Sequence, residues 1–252
     1  MADVLLDVRG LCKSFGGVVA TDNLDLAVEF GEIFAVIGPN GAGKTTLIAQ
    51  LAGSLRPDAG KIMFDGRDVT RLAPPARAAR GLARTFQITS IFPEFTALEN
   101  VALAVQAHDG HSFRFWTDAR SQARLRDPAL AALERVGLAD RAKVTARYLS
   151  HGEHRQLEIA MALATEPKML LLDEPMAGMG ADESHRMVDI MQSLKGTQTI
   201  LLIEHDMDAV FALADRISVL VYGRALATGS ADEIRANPEV RIAYLGEDEG
   251  AL

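Results

Sequence analysis

The stretch IFAVIGPNGAGKTTLIAQLAG, residues 33–53, constrains the fold more than any other part of the chain. Its first six residues are a continuous apolar run of the kind that forms a buried strand. TTLIAQLAG, 45–53, has helical character and stops at Gly53. Between them GPNGAGKT, residues 38–45, satisfies G-x-x-x-x-G-K-[ST] in the strand-to-helix setting that gives this motif its meaning. The glycines let the backbone wrap closely around phosphate oxygens and aim several N–H groups at them. The helix behind adds about half a positive charge at its N-terminus. Gly38, Pro39, Asn40, Gly41, Ala42, Gly43, Lys44, Thr45 and Thr46 are therefore the expected phosphate cradle. Lys44 would reach the β- and γ-phosphates of a nucleoside triphosphate, and the Thr45 hydroxyl is placed to ligate Mg²⁺.

The rest of the chain is compatible with an α/β fold whose sites lie at the carboxyl ends of strands. MLLLDEP, 169–175, is an apolar run closed by two acids and a proline, as expected for a central parallel strand, and TILLIEHD, 199–206, has the same form. KIMFDGRDV, 61–69, contains a turn at Asp65–Gly66, and RISVLVYGRALATG, 216–229, reads as a hairpin around Gly223. An acid at the end of a buried strand beside a phosphate loop can hold Mg²⁺ through its waters, which is the role expected of Asp173. The next acid, Glu174, can orient and deprotonate an attacking water. The alternative is that both acids merely cap the following helix.

Between 96 and 165 the strand patterns disappear. TALENVALAVQAH and DPALAALERVGL carry helical periodicity, and the Arg-rich RFWTDARSQARLR between them is either a solvated helix face or a docking surface. With 252 residues, the chain can bury a substantial core. A net charge of −8 argues against a broad basic surface, so no nucleic-acid partner is expected. One cysteine, Cys12, excludes an intramolecular disulfide and fits a reducing compartment. Asp3 and Asp7 stand where a signal peptide would be basic, and no apolar run approaches the ~18 residues of a membrane span. A cytoplasmic protein is expected, one that would need another chain to cross a membrane for it.

A glycine-rich phosphate loop leaves kinases, GTPases and motors open, although the absence of N-K-x-D disfavours a GTPase. LSHGE, 149–153, narrows the choice. Ser150 and Glu153 form S-x-x-E ahead of an apolar run, a capping box. The capped helix would offer its N–H groups, the Ser150 hydroxyl and the unobstructed Gly152 backbone to phosphate. A serine–histidine nucleophile would need an oriented base and an oxyanion hole, and no G-x-S-x-G elbow is present. A metal pair from His151 and His154 would have few other histidines to complete it.

Taken in order, GPNGAGKT, Gln87 in RTFQ, LSHGE, MLLLDEP and His205 in IEHD resemble the ATP-binding-cassette ATPases over nearly the whole chain. The resemblance implies a RecA-like P-loop NTPase core, an antiparallel β subdomain, and an inserted α-helical subdomain at about 88–165, all within one nucleotide-binding domain spanning 1–252. It implies ATP and Mg²⁺ as ligands. Gln87 would join Thr45 and Asp173 around the metal and the site of hydrolysis. His205 would contact the γ-phosphate and the attacking water, and Phe15 in KSFGG would stack on adenine unless it is a core residue. Ser150, Gly152 and Glu153 would face the ATP held by a second cassette, identical or paralogous. Multi-spanning permease subunits are the implied partners, and an extracytoplasmic solute-binding protein would complete the complex. The cassette itself would lie at the inner face of the membrane.

Three positions depart from the commonest pattern of that family. His151 replaces a glycine, Glu153 replaces a glutamine, and Gly180 in AGMG stands where the family usually has an aspartate that serves communication between cassettes. ITSIFPEFTALEN, after Gln87, resembles the segment that grips a permease. RTFQ, DEPMAGM, IEHDMD and NPEVRIAYLGED are most similar to the ATPases of branched-chain amino acid uptake, with urea or amide importers and lipopolysaccharide exporters close by. A soluble cassette acting on DNA or ribosomes is the alternative of another class. The single cassette, the absence of heptads and the acidic balance disfavour it.

Overall fold

The computed structural model describes residues 3–85, 91–108 and 122–245. Gln87 and most of the Arg-rich stretch 114–126 lie outside the described residues. The chain forms two compact units, one made of 1–77, 171–174 and 195–252, the other of 78–170 and 175–194.

Two sheets build the first unit. Strands β1 (Val4–Phe15) and β2 (Val18–Glu29) form a long antiparallel pair. β4 (Ala59–Phe64) adds to β1 and β5 (Arg67–Asp68) adds to β4, giving the order β2-β1-β4-β5. The Asp65–Gly66 turn joins β4 to β5 with both residues at positive φ, 49° and 70°, as its sequence predicted. The second sheet centres on β3 (Ile33–Ile37). It pairs in parallel with β8 (Thr199–Ile203) on one side and β9 (Arg216–Val221) on the other. β10 (Arg224–Gly229) returns antiparallel to β9 through the expected hairpin, and β7 (Met169–Asp173) lies next to β8. All five residues of β3, of β7 and of β8 are buried, which explains why these strands are apolar on both faces rather than alternating. Helices α1 (Lys44–Ala52), α2 (Pro74–Ala78), α7 (Met207–Leu213), α8 (Ala231–Ala236) and α9 (Pro238–Leu245) complete this unit, apart from Ala78. Behind the sheet, Val210 of α7, Ile234 of α8 and Val240 of α9 pack with Ala35, Ile37, Ile217 and Val219 in one cluster.

α1 ends as its sequence predicted, at Gly53 with φ 82°, its N–H donating to Gln50 O. The feature that sequence did not predict is Arg77. It is 1% exposed, and its guanidinium is spent entirely on main-chain carbonyls. Nη1 donates to Gln50 O and Leu51 O at 2.7 and 2.6 Å, Nε to Leu72 O and Nη2 to Thr70 O, both at 3.0 Å. The last carbonyls of α1 have no partner within the helix, and a cation there also opposes the negative end of its dipole. Burial pushes the Arg77 pKa down to about 10, with Asp68 opposing, so the group is still charged at neutral pH.

The second unit is mainly helical. It contains β6 (Leu82–Arg84), α3 (Ala97–His108), α4 (Ala123–Arg135), α5 (His151–Leu163) and α6 (Ala181–Leu194). The start of β7 also belongs to it, where Met169 N donates to Gly81 O at 3.0 Å. α3 covers all but the first residue of TALENVALAVQAH, as expected. Asn100 is fully buried there, with Nδ2 donating to Phe92 O and Thr96 O at 3.0 Å. α4 covers most of DPALAALERVGL and also takes in residues 123–126. No helix among the described residues is long and apolar enough to cross a membrane.

Candidate functional site

The phosphate loop connects β3 to α1 and is tied by its backbone to the hairpin at Gly223, which is tied in turn to β2. Ala42 O accepts from Gly223 N at 2.9 Å, and Asp22 N donates to Gly223 O at 2.9 Å. Two glycines of the loop have no steric alternative. Gly38 has φ 153° and a Cβ there would fall 2.2 Å from Leu220 O; Gly43 has φ 104° and a Cβ would fall 2.1 Å from Ala20 O. The hairpin at Gly223 and the main chain of β2 thus hold the loop in its wrapped form. Lys44 is buried at the head of α1, its ammonium donating to Gly38 O and Pro39 O at 2.5 and 3.1 Å. Burial pushes its pKa down, and the carboxylates of Glu174 and Asp173 push it back up.

Both carboxylates lie at the end of β7, as their sequence predicted. Asp173 is 5% exposed. Glu174 leaves the strand at φ 49°, in the left-handed region, with its N–H donating to Ile203 O at 2.9 Å. A non-glycine residue held there is strained, and strained backbone of this kind clusters at functional sites. His205 follows β8 and is exposed. Its Nδ1 is 3.9 Å from Glu174 Oε1 and 3.8 Å from Glu204 Oε2, and its main-chain N–H donates to the buried Glu204 at 3.1 Å. Lys44, Asp173, Glu174 and His205 are therefore gathered in one electrostatic neighbourhood of the first unit, with Thr45 and Thr46 next to Lys44 in α1. Phe15, at the end of β1, is 50% exposed, so it is not a core phenylalanine; Lys13 Nζ sits 5.5 Å from its ring centroid.

Ser150, Gly152 and Glu153 form their own constellation in the second unit. Ser150 is the N-cap of α5, and the capping box is complete. Glu153 N donates to Ser150 Oγ at 3.2 Å, and Ser150 N donates to Glu153 Oε2 at 2.8 Å. Arg141 Nε pairs with Glu153 Oε1 at 2.8 Å, which secures the glutamate that stands in for the usual glutamine. The two histidines are occupied separately, His151 Nε2 at 3.1 Å from Ala177 O and His154 Nε2 at 2.8 Å from Ala146 O. Among the described residues no group of three or more His, Cys, Asp or Glu side chains could hold a metal ion.

Sequence reading missed two residues that shape these sites, Arg77 behind α1 and Glu183 in α6, whose Oε1 accepts from Ser150 Oγ at 3.0 Å. Neither carries a local signal, since each acts on main chain or side chains brought close by tertiary structure.

Comparison with known proteins agrees with this architecture. The ABC transporter family profile matches residues 21–177, which include the phosphate loop, Ser150 to Glu153, and the acids at 173 and 174. A second profile, that of the branched-chain amino acid ATP-binding cassette transporter, matches 226–250. The high-affinity branched-chain amino acid transport ATP-binding protein BraF of Pseudomonas aeruginosa is 40% identical over 254 residues, covering 98% of this chain and 100% of that one. LivG of Salmonella typhimurium, of the same description, is 42% identical with the same coverage. The crystal structure of the ADP conformation of an ATP-binding cassette from an ABC transporter superposes with a TM-score of 0.85 at 31% identity, over 96% of this chain and 99% of that one. With its phosphate loop, paired acids and capped LSHGE helix, the chain belongs to the ABC transporter family, as one of its ATP-hydrolysing cassettes.

Proposed function

We propose that this cassette powers the import of branched-chain amino acids through separate membrane-spanning permease subunits, sitting at the cytoplasmic face of the membrane. The observation that carries this reading is the C-terminal match at 226–250 to cassettes of that kind. The same description belongs to relatives 40–42% identical along the full chain. In this reading residues 1–252 work as one nucleotide-binding domain with a helical part inserted at about 88–165, and pair with a second cassette, identical or paralogous. An extracytoplasmic solute-binding protein would deliver the amino acid.

Within one cassette, the loop from Gly38 to Thr46 binds the phosphates of ATP and Lys44 neutralises their charge. The carboxylate of Asp173, the Thr45 hydroxyl and the Gln87 amide are hard oxygen donors of the type Mg²⁺ takes, and Mg²⁺ bound there would supply further charge neutralisation. Buried Asp173 and the Thr45 hydroxyl at the head of α1 fit that role. Glu174 accepts a proton from the attacking water, which the strained turn at its backbone leaves it free to approach. His205, 3.9 Å from Glu174, contacts the γ-phosphate and the same water. Phe15 presents an exposed ring for adenine. Ser150 and Gly152, with Glu153 holding the cap, bind the γ-phosphate of the ATP on the partner cassette.

Ser150→Ala removes the capping acceptor, which costs about 1 kcal/mol of stability, measured by denaturant unfolding. It should weaken ATP-driven pairing of cassettes more than ATP binding to one of them. Equal pairing by wild type and variant would speak against the cross-cassette role. Copurification of the tagged chain from its native membranes in mild detergent tests the partner assignment. Two multi-spanning subunits with a second cassette are expected. Recovery with export-type membrane subunits, or with ribosomes or DNA in place of membrane proteins, would overturn it.

A further inference from the structure

A serine hydroxyl has one proton to give. In the second unit that proton is already taken, because Ser150 Oγ accepts from Glu153 N and donates to Glu183 Oε1 at 3.0 Å. The same carboxylate lies over Gly152. A Cβ placed on that glycine would be 2.9 Å from both Cδ and Oε1 of Glu183. Glu183 thus covers the two groups of LSHGE assigned to phosphate, and does so with negatively charged oxygens at the positive end of α5. Its carboxylate matches a phosphate oxygen in charge and in being only an acceptor.

A second tie lies next to the first. His151 Nε2 is 3.1 Å from Ala177 O, so the segment from Ala177 to Glu183, which carries Gly180, is fastened to LSHGE at both ends. That segment begins three positions after Glu174 in the chain.

We propose that Glu183 is a built-in competitor for the partner's ATP, holding Ser150 and covering Gly152 until the γ-phosphate displaces it. This rests on the reading of residues 150–153 as the face presented to the second cassette's nucleotide. Displacement releases one of the two ties on the segment 177–183, so arrival of the partner's ATP is felt in the chain leaving Glu174. That offers a route for communication between cassettes with no aspartate at position 180. Glu183 is a positioning residue in this scheme. Its charge raises the ATP concentration at which the cassettes close.

The test is steady-state ATP hydrolysis by the chain purified with its membrane subunits, as a function of ATP concentration. Glu183→Gln keeps an acceptor of the same shape for Ser150 but removes the charge. It should lower the KM for ATP by about tenfold, within the usual range of coupling between sites, with a smaller change in kcat. Glu183→Asp, which keeps the charge, should stay near the parent KM. A KM that is unchanged or raised in Glu183→Gln would overturn the proposal, since a clasp that merely stabilised the unit would give that result. Ser150→Ala in the same assay separates the two levels. If it raises KM while Glu183→Gln fails to lower it, only the competitor role is lost. If Ser150→Ala leaves KM and kcat untouched, the phosphate-binding reading of 150–153 fails and the competitor role with it.

Discussion

Glu174→Gln should lower ATP hydrolysis by about 10²–10⁴-fold while leaving ATP binding close to normal, the range expected for loss of a general base. Binding survives because the groups that wrap the phosphates are elsewhere: the backbone from Gly38 to Gly43, and Lys44. Hydrolysis fails because an amide cannot accept a proton from water. The position of Glu174 leaves no obvious substitute. Asp173 is buried, 5% exposed, and His205 Nδ1 stands 3.9 Å from the Glu174 carboxylate, beyond hydrogen-bond reach of it. One further effect is expected of the charge change: Lys44 loses one of the two carboxylates that oppose its desolvation. Single-turnover hydrolysis with equilibrium nucleotide binding measures both quantities. Turnover within threefold of the parent would remove Glu174 from the base role.

Arg77→Ala should be the most damaging change to the fold outside the strands. Four carbonyls, of Gln50, Leu51, Thr70 and Leu72, lose a charged donor in a place that is 1% exposed. Gln50 O keeps its bond from Gly53 N–H, while leaving a buried polar group unsatisfied costs roughly 1–3 kcal/mol, and these losses are not additive. A total of about 3–5 kcal/mol is expected, a large fraction of the stability of an ordinary domain. Arg77→Lys should recover only part of it, because an ammonium cannot present the planar fork that reaches Gln50 and Leu51 on one side and Thr70 on the other. Denaturant unfolding of the three proteins decides the matter; a loss below 1 kcal/mol in Arg77→Ala would mean that water or a neighbour satisfies these carbonyls. Because two of them end α1, the helix that begins at Lys44, ATP binding should weaken along with stability.

The contrast between these residues shows what a sequence can and cannot disclose. The phosphate loop was legible because its chemistry demands glycines and a lysine at fixed local spacing, and the structure adds only the reason that Gly38 and Gly43 tolerate no side chain. The capping box was legible for the same reason: Ser150 and Glu153 are three residues apart and satisfy one another. Asp65–Gly66 and the hairpin at Gly223 follow from turn stereochemistry. Arg77, by contrast, sits in PPARAAR, where an arginine reads as a surface residue. Its burial depends on four carbonyls, two of which belong to a helix more than twenty positions earlier. Glu183 lies 33 positions from Ser150, and no local pattern connects them. Phe15 falls between these cases. Its sequence is compatible with a core residue or a stacking ring, and its exposure removes only the first.

Uptake of labelled leucine is the direct measure of whether this cassette spends ATP on branched-chain amino acid import. Cells carrying Glu174→Gln at the native locus are compared with cells carrying the parent chain. Leucine uptake through this system should be lost while the variant protein stays in the membrane with its partners. Full leucine uptake in those cells, with the deficit confined to some other solute, would contradict it.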